Sequence, residues 1–264
     1  MAETKMNVTL LAHTQVTHNY RQVLDNLAFE QRIEPTDGQA VALTAIRTCY
    51  SANNPTEIVA KEGAKYFGAQ ATDGEGGTDA DRLFRHIVRS GHTSTLEHLS
   101  FTFAIEGVSR ALLAQLTRHR VGFSFSVQSQ RYVKLGSDDK SGGFDYVRPE
   151  KIGENEVPDY QWFDDGKWIN YKAYEVFESF MREAQSTYDK LRKAGVPAED
   201  ARAVLPNATA TNLVMTANLR ALLDFYEKRR PGNGAQHEIT QLAEELRKAV
   251  VEAEPWTDQF FAQV

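Results

Sequence analysis

Between Ser100 and His119 the hydrophobic period changes midway, and this change constrains the fold more than any other feature of the chain. Phe101, Phe103 and Ile105 alternate with Ser100, Thr102 and Ala104, the period of two expected of a strand with one buried face. Beyond Gly107 the apolar positions Val108, Leu112, Leu113 and Leu116 advance at helical spacing. This predicts a helix over Val108–His119 with Gly122 as its stop. The chain must therefore bury a sheet face and a helix face together.

The same reading predicts a short strand over Val8–Ala12 and helices over Asp37–Thr48 and Asp79–Arg89, the second placing Leu83, Ile87 and Val88 on one face. Ser90 and Gly91 then end that helix and leave His92 in a turn. A long amphipathic helix runs from Tyr174 through Leu191 to a stop at Gly195 and Pro197, and two more are expected over Thr209–Arg229 and Ala235–Glu252. Residues 72–78 form a glycine-rich break, and residues 136–167 read as a polar, exposed excursion from one catalytic domain of 264 residues.

Composition narrows the class. With 30 basic against 36 acidic residues the formal charge is −6, so the surface as a whole repels a nucleic-acid backbone and no nucleic-acid partner is expected. The single cysteine, Cys49, cannot form an internal disulfide or a thiolate zinc cage. No stretch reaches the length of a membrane span and the N-terminus lacks a signal pattern, so a cytoplasmic protein without a membrane partner is expected.

Against that acidic background, Arg118, His119 and Arg120 followed by Ser124, Ser126, Ser129 and Arg131 form a local cationic cluster. Three basic residues in the last turn of a helix would merely complement its dipole. The added hydroxyls and the Arg131 fork favour an anionic ligand, a phosphate above all. Asn218, Arg220, Asp224 and Arg229 form a second cluster in which Arg220 and Asp224 stand at ion-pair spacing. His92 and His98 are six apart and do not match a zinc helix, so no metal is expected. Cys49 reads as a small packing residue. Neither a dinucleotide-binding glycine turn nor a phosphate-binding P-loop occurs.

These blocks resemble the flavin-dependent thymidylate synthases. Arg118–Tyr132 is similar to the family signature of RHR, a spacer, then S-x-R. Arg47–Ser51, the stretch from Gly91 to Arg120, Ala201–Pro206 and Asn218–Arg229 match further blocks in order. Here the spacer Val121–Gln128 is one residue longer than usual, and Val127 stands where Glu or Gln is common; a one-residue bulge would let Gln128 take that place. The resemblance implies an α+β fold, with a mixed sheet packed against several long helices, and a homotetramer with active sites between subunits. It implies conversion of dUMP to dTMP with FAD as redox carrier, NADPH as reductant and 5,10-methylenetetrahydrofolate as carbon donor. By position, His92, Ser94, Arg118, His119, Arg120, Asn218, Arg220 and Asp224 would line the flavin. Gln115, Arg118, Gln128, Ser129, Gln130, Arg131, Arg202 and Arg229 would hold dUMP, with Arg229 in the catalytic role of stabilising an ionised uracil. The alternative is a nucleotide- or flavin-binding module without catalysis.

Overall fold

A computed structural model describes residues 1–262. Strand β1 (Asn7–His13) leads into α1 (His18–Gln31), α2 (Asp37–Thr48), α3 (Ile58–Gly68) and α4 (Asp79–Arg89). Then come β2 (Ser100–Ser109), α5 (Arg110–Leu116), β3 (Phe123–Val127), and the hairpin β4 (Glu156–Asp164) and β5 (Lys167–Lys172). Helices α6 (Ala173–Lys193) and α7 (Ala198–Ala201) precede β6 (Ala210–Asn218), α8 (Leu219–Arg229), α9 (His237–Ala253) and α10 (Asp258–Phe261).

The main sheet has the order β1-β2-β6-β3, and every neighbouring pair in it is antiparallel. Among the described residues, parallel pairing enters this mixed α+β architecture only through the isolated bridge between Glu3 and Tyr146. Phe101, Phe103 and Ile105 of β2 and Leu213, Met215 and Ala217 of β6 turn inward as a period-two strand requires. They pack with Leu43 and Ile46 of α2, Phe84 and Ile87 of α4, Leu112 and Leu116 of α5, Phe225 of α8 and Leu242 of α9. Burial of each Phe, Ile, Leu or Met in this set contributes about 1.5–3 kcal/mol, so this one core fixes both central strands.

Several elements differ from the sequence reading. β2 continues past Gly107 to Ser109, because Gly107 at φ +66° forms a bulge where a Cβ would stand 2.3 Å from the Lys5 carbonyl oxygen. Ser109 then caps α5 by accepting the Leu112 N–H at 2.9 Å, so that helix begins later and ends at Leu116. The expected helix over Thr209–Arg229 splits into a strand and a helix. Thr211, Leu213, Met215 and Ala217 are buried while Asn212 and Val214 are exposed, and Asn218 starts α8 by capping the Ala221 N–H.

The region 136–167 is not a loop throughout. Phe144 and Tyr146 are buried against Met181 and Ala184 of α6, while β4 and β5 form a ribbon carrying exposed Trp162, Phe163 and Trp168. The helices over Asp37–Thr48 and Asp79–Arg89 match the expected boundaries, each opened by a capping box, Thr36 with Gln39 and Thr78 with Asp81.

Candidate active site

Sheet topology sorts the candidate residues into two groups. β2 and β3 both run antiparallel to β6 and lie on either side of it. The residues before β2, before β3 and after β6 therefore gather at one end, which holds His92, Ser94, Arg118, His119, Arg120, Asn218, Arg220 and Arg229 with Asp224 on α8. The residues after β2, after β3 and before β6 gather at the other end, which holds Gln128, Ser129, Gln130, Arg131 and Arg202. Nine strand residues separate the ends of β6, a span of about 25 Å. Gln115, on α5 between the two, donates to Gln236 at 3.2 Å.

At the first end, Arg118, His119 and Arg120 lie in the turn between α5 and β3, not in a helical last turn. A helix-dipole role is thereby removed. Gly122, at φ +76°, closes this turn. A Cβ there would stand 2.7 Å from Ala221 Cβ and 2.8 Å from Asn218 Nδ2, so only glycine lets the turn rest on the start of α8. Its carbonyl accepts the Asn218 N–H at 3.1 Å.

His119 is half-buried, edge-on to Phe225 with ring centroids 4.9 Å apart. Arg229 Nε donates to His119 Nε2 at 3.3 Å. That nitrogen must carry a lone pair, so the imidazole is neutral with its proton on Nδ1. Burial, and then the positive charges of Arg229, Lys228 and Arg118, hold its pKa below the ordinary histidine value. Arg229 is thus positioned by a neutral acceptor and keeps its full charge for something else.

Arg220 does not pair with Asp224 as its spacing suggested. It reaches Glu97 Oε1 at 2.6 Å, because Glu97 in the turn Thr93–His98 faces the start of α8. His92 Nδ1 lies 3.0 Å from the Tyr50 hydroxyl. The neighbouring block is structural: Arg47 Nε holds Glu62 Oε2 at 2.6 Å, and Ser51 and Asn53 bind the same carboxylate. Cys49, expected as a packing residue, is exposed at the end of α2.

At the second end, Arg131 Nε meets Glu199 Oε2 at 2.9 Å, and Arg202 Nε donates to the Glu199 backbone carbonyl at 2.9 Å. Ser129 Oγ accepts the Arg131 N–H at 3.2 Å. β3 pairs with β6 without a register shift, and the Gln128 N–H continues the ladder to the Asn212 carbonyl at 2.9 Å. The bulge expected to bring Gln128 into the place of Val127 does not form, since the even pairing leaves no room for an extra residue. Tyr50 and Glu199 escaped the sequence reading, although Tyr50 lay inside a matched block; Glu97, also inside one, was weighed only as a metal ligand beside His92 and His98, and its pairing with Arg220 was not foreseen. Among the described residues no group of three His, Cys, Asp or Glu side chains converges on a metal position, and no helix is long and apolar enough to cross a membrane.

Fold and site define an α+β protein whose sheet carries arginine-rich groups at both ends, suited to phosphorylated ligands. Residues 33–256 match the family model described as thymidylate synthase complementing protein. A flavin-dependent thymidylate synthase of Geobacter sulfurreducens is 38% identical over 214 residues, covering 81% of this chain and 78% of that one. One from Haloarcula marismortui is 36% identical over 197 residues, covering 69% and 75%. The fold is similar to that of a UMP/dUMP methylase, PolB from Streptomyces cacaoi, solved with 5-Br dUMP, at a TM-score of 0.65 and 23% identity over 99% of this chain and 97% of that one. The chain belongs to the flavin-dependent thymidylate synthase family. It is an enzyme of the methyltransferase type; FAD is the family's cofactor, with NADPH and methylenetetrahydrofolate as co-substrates.

Proposed function

We propose that the chain forms one catalytic domain of a cytoplasmic homotetramer that methylates dUMP reductively to dTMP, in active sites shared between subunits. The observation that carries this reading is the division of the arginines between the two ends of one sheet. About 25 Å of strand is too long for a single compact site. A second copy that brings its nucleotide end against the flavin end of the first completes one.

The donors fit the cofactor. Arg118 and Arg120 are exposed and make no ion pair with any described residue, and the Gly122 turn packs closely on Asn218. Guanidinium groups not already engaged by carboxylates are what a pyrophosphate requires. Arg118, Arg120, Asn218 and Arg220 would hold FAD, with His92, Ser94, His119 and Asp224 around it. Bound FAD supplies electron transfer from NADPH, chemistry that no side chain here has. Ser129, Gln130, Arg131 and Arg202 would bind the nucleotide, with Gln115 and Gln128 beside them. Arg229, fixed by neutral His119, would face the pyrimidine and stabilise negative charge as it develops on the ring. Ser129 needs no nucleophilic role, since its hydroxyl is engaged with the Arg131 backbone and, among the described residues, no carboxylate or imidazole is hydrogen-bonded to it.

The test is dTMP formation by purified protein with dUMP, FAD, NADPH and methylenetetrahydrofolate, each omitted in turn. We expect product only in the full mixture, with flavin absorbance bleaching on NADPH addition. Binding of dUMP without tritium release from its C5 position would leave a non-catalytic module instead.

A further inference from the structure

We propose that the ribbon β4–β5 is an assembly arm: the free edge of β5 pairs antiparallel with β5 of a second copy, about a two-fold axis at Ile169, to make one four-stranded sheet. The inference rests on the reading above that the chain assembles, and it names a contact that the shared sites do not themselves require.

A two-stranded ribbon is marginal in water unless something covers it. On this one Tyr160, Trp162, Phe163, Trp168 and Ile169 are all exposed, Trp168 at 67%. Trp162 and Ile169 share one face, where the rings of Tyr160 and Trp162 lie 4.7 and 6.4 Å from that of Tyr171. Phe163 and Trp168 meet on the other face at 5.2 Å. Apolar surface of this kind marks an interaction site. Asp159, Asp164 and Asp165 on the same ribbon repel an anionic lipid surface or a nucleic acid, which leaves protein.

The two edges of the ribbon are unequal. β4 is guarded: Pro158 has no N–H, Asp159 stands at φ +61°, and the register shifts between Glu156 and Gln161. β5 has none of these features, and among the described residues it pairs with no strand but β4.

The hairpin turn decides which backbone groups of β5 are free. Asp165 and Gly166, at φ +42° and +75°, form a two-residue turn whose closing pair, Asp164 and Lys167, is hydrogen-bonded. Bonded and non-bonded pairs alternate along an antiparallel ladder, so Ile169 bonds back to Trp162 while Trp168 and Asn170 direct their N–H and C=O groups outward. Lys172 comes next in that series, but its N–H already donates to Glu175 Oε2 at 2.7 Å. Using Trp168 and Asn170 on both copies sets each opposite the other and Ile169 opposite itself. Lys167 then faces Tyr171 of the second copy, and no like charges meet. A slip of one residue toward α6 would set Lys167 against Lys172 instead.

Area selects a second copy as the occupant. Enclosed aromatic side chains bury about 150–250 Å² each, and the four exposed ones here are roughly half exposed. They offer on the order of 400 Å² per copy, against the roughly 800 Å² per partner of a stable interface. The arm therefore reinforces a contact that other surfaces also hold, which another subunit of the same oligomer supplies.

The experiment is cysteine cross-linking of the full-length, flavin-loaded protein in a Cys49→Ser background. Ile169→Cys places two thiols on a facing non-bonded pair, with Cα atoms about 4.5 Å apart and within disulfide reach. Trp162→Cys lies three strand spacings, about 14 Å, from its counterpart and is out of reach. With oxidised glutathione, most of the Ile169→Cys protein should run as a dimer on a non-reducing gel, and Trp162→Cys as single chains. A matched proline pair gives a second measurement. Asn170→Pro and Gln161→Pro both break the side-chain bond between these residues, but only the Asn170 N–H would cross the interface. By analytical ultracentrifugation, Asn170→Pro should raise the subunit dissociation constant at least about fivefold, and Gln161→Pro should leave it unchanged. An Ile169→Cys protein that sediments as an oligomer yet stays uncross-linked, or equal effects of the two prolines, would overturn the arm while leaving the shared sites standing; the ribbon would then be open to a foreign extended segment. An unaltered protein that sediments as a single chain would remove both.

Discussion

The His119–Arg229 contact concentrates most of the site's unusual chemistry in two side chains. A neutral imidazole is the only form that can accept from Arg229 Nε, and burial together with three nearby cations keeps it neutral. This has a defined effect on stability. The unfolded chain protonates His119 near the ordinary value of about 6.5, whereas the folded chain resists until lower pH. Between those two values the unfolded state binds more protons, so stability falls as pH drops through the unfolded value and levels off below the folded one. Urea midpoints of the protein and its His119→Gln variant, measured at about pH 7.5 and about pH 5.5 in the same flavin state, should show the larger loss for the unaltered protein. Parallel losses would mean that His119 is not held neutral. The side-chain identities at this site were legible in the sequence, since Arg118–Arg120 and Arg229 stood out from an acidic chain. Their partners were not. Nothing local connects Arg220 with Glu97 or Arg131 with Glu199, which lie 123 and 68 positions apart and meet only through the fold.

At the level of elements, helices with a capping box and one apolar stripe were readable to the residue, as α2 and α4 show. β6 was not, because Leu213, Met215 and Leu219 to Phe225 carry apolar residues at spacings that fit either period until Asn218 is recognised as a cap. β3 was missed for a related reason. Its exposed Ser124 and Ser126 read as ligand donors, and their alternation with Phe123, Phe125 and Val127 becomes meaningful only beside β6. The turn before β3 carries the arginines, and its shape depends on Gly122 lying against Ala221 and Asn218. Gly122→Ala combines a positive φ with a Cβ contact under 3 Å, so the turn must shift off α8. We expect a destabilisation of about 1–3 kcal/mol and loss of most bound flavin, with helix content unchanged. Flavin absorbance after gel filtration, read with far-ultraviolet circular dichroism, checks this. Full flavin occupancy in the variant would show that the turn does not depend on glycine.

For the whole molecule, the strand that separates the two groups of arginines makes a prediction about assembly that no single-site variant can. Arg120→Ala damages only the flavin end and Arg131→Ala only the nucleotide end. If each active site takes its two ends from different subunits, either variant alone has every site damaged. When the two are mixed under conditions that exchange subunits, about a quarter of sites should draw both intact ends, given random pairing of the two chains. Activity should therefore rise from near zero toward about a quarter of the unaltered enzyme. Sites contained within one chain behave differently, because every chain in the mixture carries one damaged end whatever its neighbours are. Mixing would then restore nothing. Recovery also depends on exchange, which is checked independently by mixing tagged and untagged copies of the unaltered protein. With exchange demonstrated and activity still absent, the shared-site arrangement would have to be given up, and the two ends of β6 would need to be bridged within a single chain by a ligand extended over the length of the strand.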